Sequence, residues 1–382
     1  FSSCFFPTYP LYLLLRLLFK RDKKYNAMHI HILQENLSKG LSLVSRYTSN
    51  KGQLPILANV LIDAQAEGIT LLATNLEMGI RVDIGGKTEK PGQITVPAKN
   101  LTEFISSLPV ETVELKSEGE KLKVTGSKSS ATFSTIDAKE FPIIPASSGD
   151  QLSMDSQLIK QVAVEVAFAA ATEESRPVLT GVRFEKQNEH LVITATDGFR
   201  LSRKTLLAPG SYQLTTIILP AKTIMELAKI GEEEKISMEV VTQNNQVIFT
   251  AGKVQIISRI LEGNFPDVDK IIPKEFRTQV TVDRGELLRA VRAAGIFARD
   301  ANNIVKLEIR NEKLEIRASG GQTGESESVI DAEIEGDEIQ TSFNYKYVLD
   351  FLSSVSEERV IMKFNEPTTP VVFAPEKDPS LI

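Results

Sequence analysis

The 382-residue chain has one cysteine, Cys4, three histidines and no tryptophan. A single cysteine excludes a disulfide scaffold, an iron–sulfur cluster and a cysteine-rich zinc site. His29, His31 and His190 leave little material for a metal centre or imidazole-based catalysis. His29 and His31 alternate on one strand face. With no cysteine or acidic partner at a ligand spacing, they read as part of a half-exposed strand. A G-x-S-x-G elbow is missing. Gly85-Gly86-Lys87-Thr88 resembles the end of a phosphate-binding loop, but Arg81 stands where the first glycine belongs. The segment also runs towards Pro91 rather than into a helix, so it reads as a hairpin turn. Gly320–Gly324 precedes no helix that could supply an anion site. Glu232–Glu234 and Glu333–Glu338 read as solvated turns. These absences assign no catalytic residue, no metal and no cofactor.

The formal net charge of −6 argues against a chain that is basic throughout, and it leaves room for a local basic stripe. Residues 1–27 stand apart. Leu11–Phe19 is too short to span a bilayer, is interrupted by Arg16, and is followed rather than preceded by the basic run Lys20–Lys24. Segment 1–27 reads as an upstream extension, with Met28 as the natural beginning. Without it the body carries 39 basic and 49 acidic residues, a net charge of −10.

What the chain has is internal repetition. Pro55-Ile56-Leu57 recurs as Pro177-Val178-Leu179, and Ala73-Thr74-Asn75 as Ala195-Thr196-Asp197, both 122 residues on. Pro97-Ala98-Lys99 recurs as Pro220-Ala221-Lys222 after 123. A fainter third copy places Lys346 124 residues after Lys222. Three units follow: 28–145, 150–273 and 277–382. Each is long enough to be a domain rather than a solenoid repeat. Within each, the pattern predicts a short strand, a helix (Glu35–Arg46, Asp155–Ala171, Asp283–Arg299), alternating strands, a second helix after the Pro-Ala-Lys phrase (98–107, 221–230, 345–355), and further strands with turns such as Asn244-Asn245. The fold class is α+β with antiparallel sheets.

One helix carries a positive signal. At 100° per residue, Leu287, Ala290, Val291, Ala294, Phe297 and Ala298 share one arc of Asp283–Arg299, and Arg284, Arg289, Arg292 and Arg299 lie roughly opposite. Residues 274–317 hold 10 basic and 7 acidic residues, whereas 318–382 hold 4 and 13. Such segregation points to a phosphate-facing surface.

The phrases Leu54-Pro55-Ile56-Leu57-Ala58-Asn59, Val96-Pro97-Ala98-Lys99, Ala195-Thr196-Asp197-Gly198-Phe199-Arg200-Leu201 and Gly263-Asn264-Phe265-Pro266-Asp267 resemble the bacterial sliding-clamp family, the beta subunit of DNA polymerase III, and most closely its Gram-positive forms. The resemblance covers 28–382. It implies a non-enzymatic processivity factor in which two chains pair head to tail into a closed ring of six similar domains. Helices line the hole, and double-stranded DNA threads it without sequence recognition. The implied DNA contacts are Lys51, Arg176, Lys99, Lys222 and Lys346, with Arg46, Arg289 and Arg292 added from the helical faces. The resemblance also implies a pocket between domains two and three for short linear peptides of the replicative polymerase, the clamp loader and repair proteins. Its residues here are Leu179, Thr196, Gly198, Phe199, Arg200, Leu201, Pro266, Lys270, Ile271 and Pro370, with Asn344 and Tyr347 at the edge. Phe199 stands where many members have histidine. The chain stops at Leu381-Ile382, short of the family's final strand and tail, which implies an incomplete pocket floor. The implied homodimer interface pairs edge strands, with Phe133 on one side and Ile296 and Phe297 on the other. The implied location is the bacterial cytoplasm, at the nucleoid, with no membrane partner. Two other classes compete: a nucleic-acid enzyme, which needs clustered carboxylates for a metal, and a membrane-anchored repeat adhesin, which would use 1–27.

Overall fold

Strict alternation sets the strands. Ile30 and Ile32 are fully buried while His29 and His31 between them are not, and Leu314, Ile316 and Ala318 repeat the pattern. The computed structural model describes residues 28–49, 54–145, 152–173, 175–207, 216–230, 235–241, 245–321 and 324–382. The 1–27 extension, Lys51, Asn244 and Glu232–Glu234 lie outside the described residues.

The chain packs into two compact units, one ending at Ile144 and one beginning at Pro145. The first has strands β1 (His29–Leu33), β2 (Asn59–Gln65), β3 (Gly68–Thr74), β4 (Met78–Ile84), β5 (Lys87–Lys90), β6 (Gly92–Pro97), β7 (Thr112–Glu118), β8 (Lys121–Thr125) and β9 (Ser130–Ser134). Its helices are α1 (Gln34–Val44) and α2 (Ala98–Ser107). The second unit begins with β10 (Leu152–Asp155), α3 (Ser156–Glu165), β11 (Gly181–Gln187), β12 (His190–Thr196), β13 (Leu201–Leu207), β14 (Ile217–Pro220) and α4 (Ala221–Leu227). It continues with β15 (Lys235–Val241), β16 (Gln246–Ala251), β17 (Val254–Arg259), β18 (Thr278–Asp283), α5 (Arg284–Ala298), β19 (Ile304–Arg310), β20 (Lys313–Ser319) and β21 (Glu325–Asp331). It ends with β22 (Glu333–Glu335), β23 (Ile339–Asn344), α6 (Tyr345–Ser354), β24 (Arg359–Phe364) and β25 (Val372–Pro375).

The antiparallel wiring repeats three times. The orders β4-β3-β2-β6, β13-β12-β11-β14 and β21-β20-β19-β23 are equivalent. So are β5-β1-β7-β8-β9, β10-β15-β16-β17 and β22-β18-β24-β25, in which the first strand of each copy pairs with the strand after its second helix. In each copy the two helices pack on one another. Side chains cap the helices that follow acidic or amide residues: Asp155 Oδ1 accepts from the Gln157 amide, Asp283 Oδ1 from Glu286 and Asn344 Oδ1 from Lys346. The helices α2 and α4 begin directly behind Pro97 and Pro220.

Several expectations are corrected. The helix expected over Asp155–Ala171 ends at Glu165 and passes into a 3-10 turn, Ala167–Ala169. The helix expected to reach residue 230 ends at Leu227, and Arg46 sits in the 3-10 turn Ser45–Tyr47 rather than in α1. Glu333–Glu335 is a strand paired with β18, not a turn. Gly85-Gly86 is not a hairpin, because β4 and β5 belong to different strand orders and the glycines carry the chain between them. A Cβ on Gly86 would stand 2.5 Å from Ile69 Cδ1 and 3.1 Å from the His31 carbonyl oxygen, so a side chain at this crossing would force its neighbours to shift.

The final residues are tied to β13. The Arg203 and Thr205 amides donate to the carbonyls of Ile382 and Ser380, each at 2.8 Å, and the Ile382 amide donates back to Arg203 at 3.0 Å. Beneath this pairing, the buried Lys204 ammonium donates to Glu165 Oε2 at 2.5 Å and to Asp378 Oδ2 at 3.3 Å. Burial acts to lower the Lys204 value, but the two carboxylates outweigh it and hold it above the usual lysine range. Burial acts to raise the Asp378 carboxyl, but hydrogen bonds from the Ser380 hydroxyl and amide, with the Lys204 charge, hold it below the usual range. A raised lysine contributes stability below its unfolded value and loses it as pH rises through the raised one. A depressed carboxyl contributes above its unfolded value and loses it on acidification. The segment is therefore held best across neutral pH. Lys204→Met leaves two partly buried carboxylates without their cation and should weaken the anchoring by about 1–3 kcal/mol. The readout is faster hydrogen exchange at the Arg203 and Thr205 amides at pH 7; unchanged exchange there would refute the role.

Candidate functional site

A cavity of about 540 Å³ opens in the second unit between β12–β13, the segment 266–273, α6 and the segment 368–373. That is the size of a pocket for a few side chains. Its lining is mostly apolar: Phe168, Val268, Ile272, Phe343, Val348, Phe351, Val371 and Phe373 join the expected residues.

One wall is the turn after β12, and its sequence explains its shape. Thr196 Oγ1 donates to the Arg200 carbonyl at 2.6 Å and accepts the Gly198 amide at 3.0 Å. Asp197 Oδ1 accepts the amides of Phe199 and Arg200 at 2.8 and 2.9 Å. Gly198 has φ +93°, a conformation that suits glycine. The same turn is built in the first copy. There Thr74 Oγ1 donates to the Met78 carbonyl and accepts the Leu76 amide, while Asn75 Oδ1 accepts the amides of Glu77 and Met78. Leu76 takes the glycine's place at φ +76°, which a leucine adopts only under strain.

In the second copy the turn delivers two side chains to the cavity. Phe199 is 87% exposed, an aromatic ring left in water at the mouth. Arg200 is fixed from every side. Its Nε donates to Asp197 Oδ2 at 3.1 Å, Nη1 to Asp350 Oδ2 at 2.5 Å and Nη2 to the Phe168 carbonyl at 2.8 Å. Its guanidinium lies over the rings of Tyr347 and Phe168, 4.7 and 5.4 Å from their centroids. Burial first, then the Asp197 charge, raises the Tyr347 phenol, so its hydroxyl is protonated and able to donate across the physiological range. Chemically the cavity offers apolar anchors, one exposed aromatic and a few polar groups for a peptide backbone.

The structure brings Thr196, Gly198, Phe199, Arg200, Leu201, Pro266, Ile271, Tyr347 and Pro370 to this cavity. It does not bring Leu179, Lys270 or Asn344. Leu179 is buried in the 3-10 turn Pro177–Thr180. Lys270 is exposed and donates to Asp267 Oδ2 at 2.8 Å, a bond that raises its value and lowers that of Asp267. Asn344 is occupied as the cap of α6. Ile382 also lines the cavity. Sequence reasoning missed Phe168, which lies 32 residues from Arg200 and meets it only through the fold.

The basic residues divide differently from the expectation. Lys99, Lys222 and Lys346 are each exposed at the second residue of α2, α4 and α6. Arg289, Arg292, Arg46 and Arg176 are exposed as well. Of the four arginines placed on one face of α5, however, Arg284 donates to the carbonyls of Leu352 and Glu357, closing the end of α6, and Arg299 reaches the Tyr345 hydroxyl at 3.4 Å. The segregation of charge between 274–317 and 318–382 does not survive folding. Lys313 pairs with Asp331 and Arg317 with Glu327 across β20 and β21, joining the two halves, while Arg310 and Arg317 also pair with Glu308 and Glu315 on the same or the neighbouring strand.

β9 and β21 end their strand orders. Phe133 on β9 is half-buried, because its ring packs edge-on against Phe104 at 5.9 Å, rather than the bare exposed side chain expected. Ile296 is 61% exposed on α5, which packs on β21, and Phe297 is half-buried beside it. Val329 on β21, 53% exposed, is an apolar edge residue that the sequence reading passed over. Among the described residues no helix is long and apolar enough to cross a membrane.

Comparison with known proteins agrees with this architecture. Residues 28–145 match the N-terminal domain of the DNA polymerase III beta subunit, 153–267 its central domain and 269–382 its C-terminal domain. The beta sliding clamp of Streptococcus pneumoniae (strain ATCC BAA-255 / R6) is 31% identical over 360 residues, covering 91% of this chain and 95% of the relative. The crystal structure of the DNA polymerase III beta chain of Streptococcus pneumoniae TIGR4 superposes with a TM-score of 0.88 at 30% identity, covering 93% of this chain and 97% of that one. The sliding clamp of Bacillus subtilis gives 0.88 at 28%, with the same coverage. With all three domain models matched in order along a threefold-repeated fold, the chain belongs to the DNA polymerase III beta subunit family, the DNA sliding clamps.

Proposed function

We propose that two copies of this chain close head to tail into a ring around double-stranded DNA and that the apolar cavity docks short peptides of the proteins the ring tethers. The observation that carries the DNA half of the reading is the recurrence of one exposed lysine, Lys99, Lys222 and Lys346, at the same helix position in every copy. A cation in the first turn works against the helix dipole, so its triple placement there is no aid to the helix. Phosphates approaching these helix starts would meet both the ammonium and the dipole's positive end. Contacts of this kind are screened, replaceable and blind to sequence, as sliding requires. Arg46 in the first unit and Arg176, Arg289 and Arg292 in the second are further exposed cations that we assign to DNA contact, and Lys51 is assigned with them from its place in the sequence beside the Leu-Pro-Ile-Leu phrase. The net negative charge disfavours DNA elsewhere on the molecule.

For closure, β9 and β21 are the strand ends we assign to pairing between copies, with Phe133 facing Ile296, Phe297 and Val329. Such an edge is hazardous unless a partner covers it. The replicative polymerase, the clamp loader and repair proteins are the partners proposed for the cavity, and the bacterial cytoplasm the compartment. A membrane-anchored adhesin and a nucleic-acid enzyme have no counterpart in this reading.

Two experiments test it. Loaded by a clamp loader onto nicked circular DNA, the protein should stay bound at high salt and leave when the circle is cut, whereas Phe133→Asp should sediment as a monomer and fail to be retained. Retention on linear DNA, or a dimer in the variant, would refute ring closure through these edges. For the cavity, Phe199→Ala removes an exposed ring without touching the core. It should weaken a polymerase-derived peptide by about tenfold, or ~1.4 kcal/mol, in a fluorescence polarisation titration, with sedimentation unchanged. Equal affinity would move the docking site elsewhere.

A further inference from the structure

His29 and His31 lie two residues apart on β1, so both project from the face opposite the buried Ile30 and Ile32. Their ring centroids are 5.0 Å apart. Each neighbouring strand adds a carboxylate. β7 brings Glu114, whose Oε1 lies 2.7 Å from His29 Nε2. β5 brings Glu89, whose Oε2 lies 3.0 Å from His29 Nδ1 and whose Oε1 lies 3.3 Å from His31 Nε2. One donor atom each from His29, His31 and Glu114 falls within 4.8 Å of the others. The cations nearby do not fill the centre: Lys116 pairs with Glu118 at 3.2 Å, and Lys87 comes no nearer to Glu89 than 3.9 Å. The sequence reading dismissed a metal here because no acidic partner stood at a ligand spacing. The partners come instead from the two flanking strands.

We propose that His29, His31 and Glu114 bind a divalent transition-metal ion of the zinc type, with Glu89 as the positioning residue. Two imidazoles and one carboxylate form a mixed nitrogen–oxygen donor set, which suits zinc and not the all-oxygen preference of calcium or magnesium. Zinc bonds of about 2.0–2.2 Å set tetrahedral neighbours roughly 3.4 Å apart, so the His29–Glu114 contact opens by less than an ångström to admit the ion. His29 coordinates through Nε2, the nitrogen already facing Glu114. Its Nδ1–H then donates to Glu89, the carboxylate–histidine arrangement that fixes ring orientation at metal sites. The fourth position faces solvent and takes water. All four side chains are partly exposed, so the ion reaches the site without opening the core. Bound there, it links β1 to β7 and, through Glu89, to β5.

Isothermal titration of the full chain with zinc chloride tests this, using Cys4→Ser and His190→Gln as the background to remove the remaining thiol and imidazole. The expected result is one zinc per chain. Affinity should fall by about tenfold or more in His31→Gln and in Glu114→Gln and by less in Glu89→Gln, and zinc should raise the melting temperature only where it binds. Circular dichroism of the metal-free variants separates loss of a ligand from loss of fold. No zinc uptake by the background chain, or uptake unchanged in folded His31→Gln plus Glu114→Gln, would overturn the proposal.

Discussion

In each copy two helices lie side by side and turn their apolar faces into the strands, and the rest of the molecule depends on how that packing divides their surfaces. In α5 the division is sharp. Leu287, Ala290, Val291, Ala294 and Ala298 are buried while Arg289 and Arg292 are exposed. The pair α5–α6 approaches closely because Gly295 has no side chain: a Cβ there would stand 2.7 Å from the Tyr345 ring. Tyr345 opens α6, so the same close approach positions Lys346 one residue further on. Burial of one helix face and presentation of a cation on the other are thus one geometric fact.

The polar turn after β12 shows how a repeated scaffold acquires a site. Thr and Asp/Asn side chains build the same hydrogen-bonded turn in copies one and two. What differs is what the turn carries. In copy one the left-handed position is held by Leu76, and the residues corresponding to Phe199 and Arg200 are Glu77 and Met78. In copy two, glycine relieves the strain, and the next two residues supply an exposed ring and a guanidinium clamped between Asp197, Asp350, Phe168 and Tyr347. The turn is architecture, and the cavity comes from the residues placed on it and from the neighbours that α6 and the segment 368–373 bring to it.

Features set by nearby residues were legible in the sequence. The repeat offsets, the strand alternation, the helix starts behind Pro97 and Pro220, and the buried arc of α5 all follow from local spacing, and the structure contains them. Features set by pairing across strands were not. Glu89 and Glu114 meet His29 and His31 from 60 and 85 residues away in sequence. Lys204 finds Asp378 across 174 residues. Arg284 looked like a free member of a basic face, but it reaches the end of α6, because a side chain at the first turn of one helix can satisfy the carbonyls at the last turn of its neighbour. Gly85-Gly86 carried a turn signal without saying which sheet the chain enters next.

That distinction matters most for charge. Counted along the sequence, the third copy is a basic half followed by an acidic half. Folded, β19, β20 and β21 lie side by side, and Arg310, Lys313 and Arg317 are answered by Glu308, Glu315, Glu327 and Asp331 on the same or the next strand. Exposed pairs of this kind add little stability each, but they remove charge from the sheet surface. Exposed basic residues also stand on the helices. Arg289 and Arg292 on α5 and Lys99, Lys222 and Lys346 at the helix starts are of that kind. A sheet can neutralise itself because its side chains meet across strands at about 5 Å. In α5 the one acidic residue, Glu286, stands in the first turn, three residues before Arg289 and six before Arg292. In the third copy the basic and acidic halves of the sequence are thus interleaved on one sheet, while α5 presents Arg289 and Arg292 as exposed cations on its outer face.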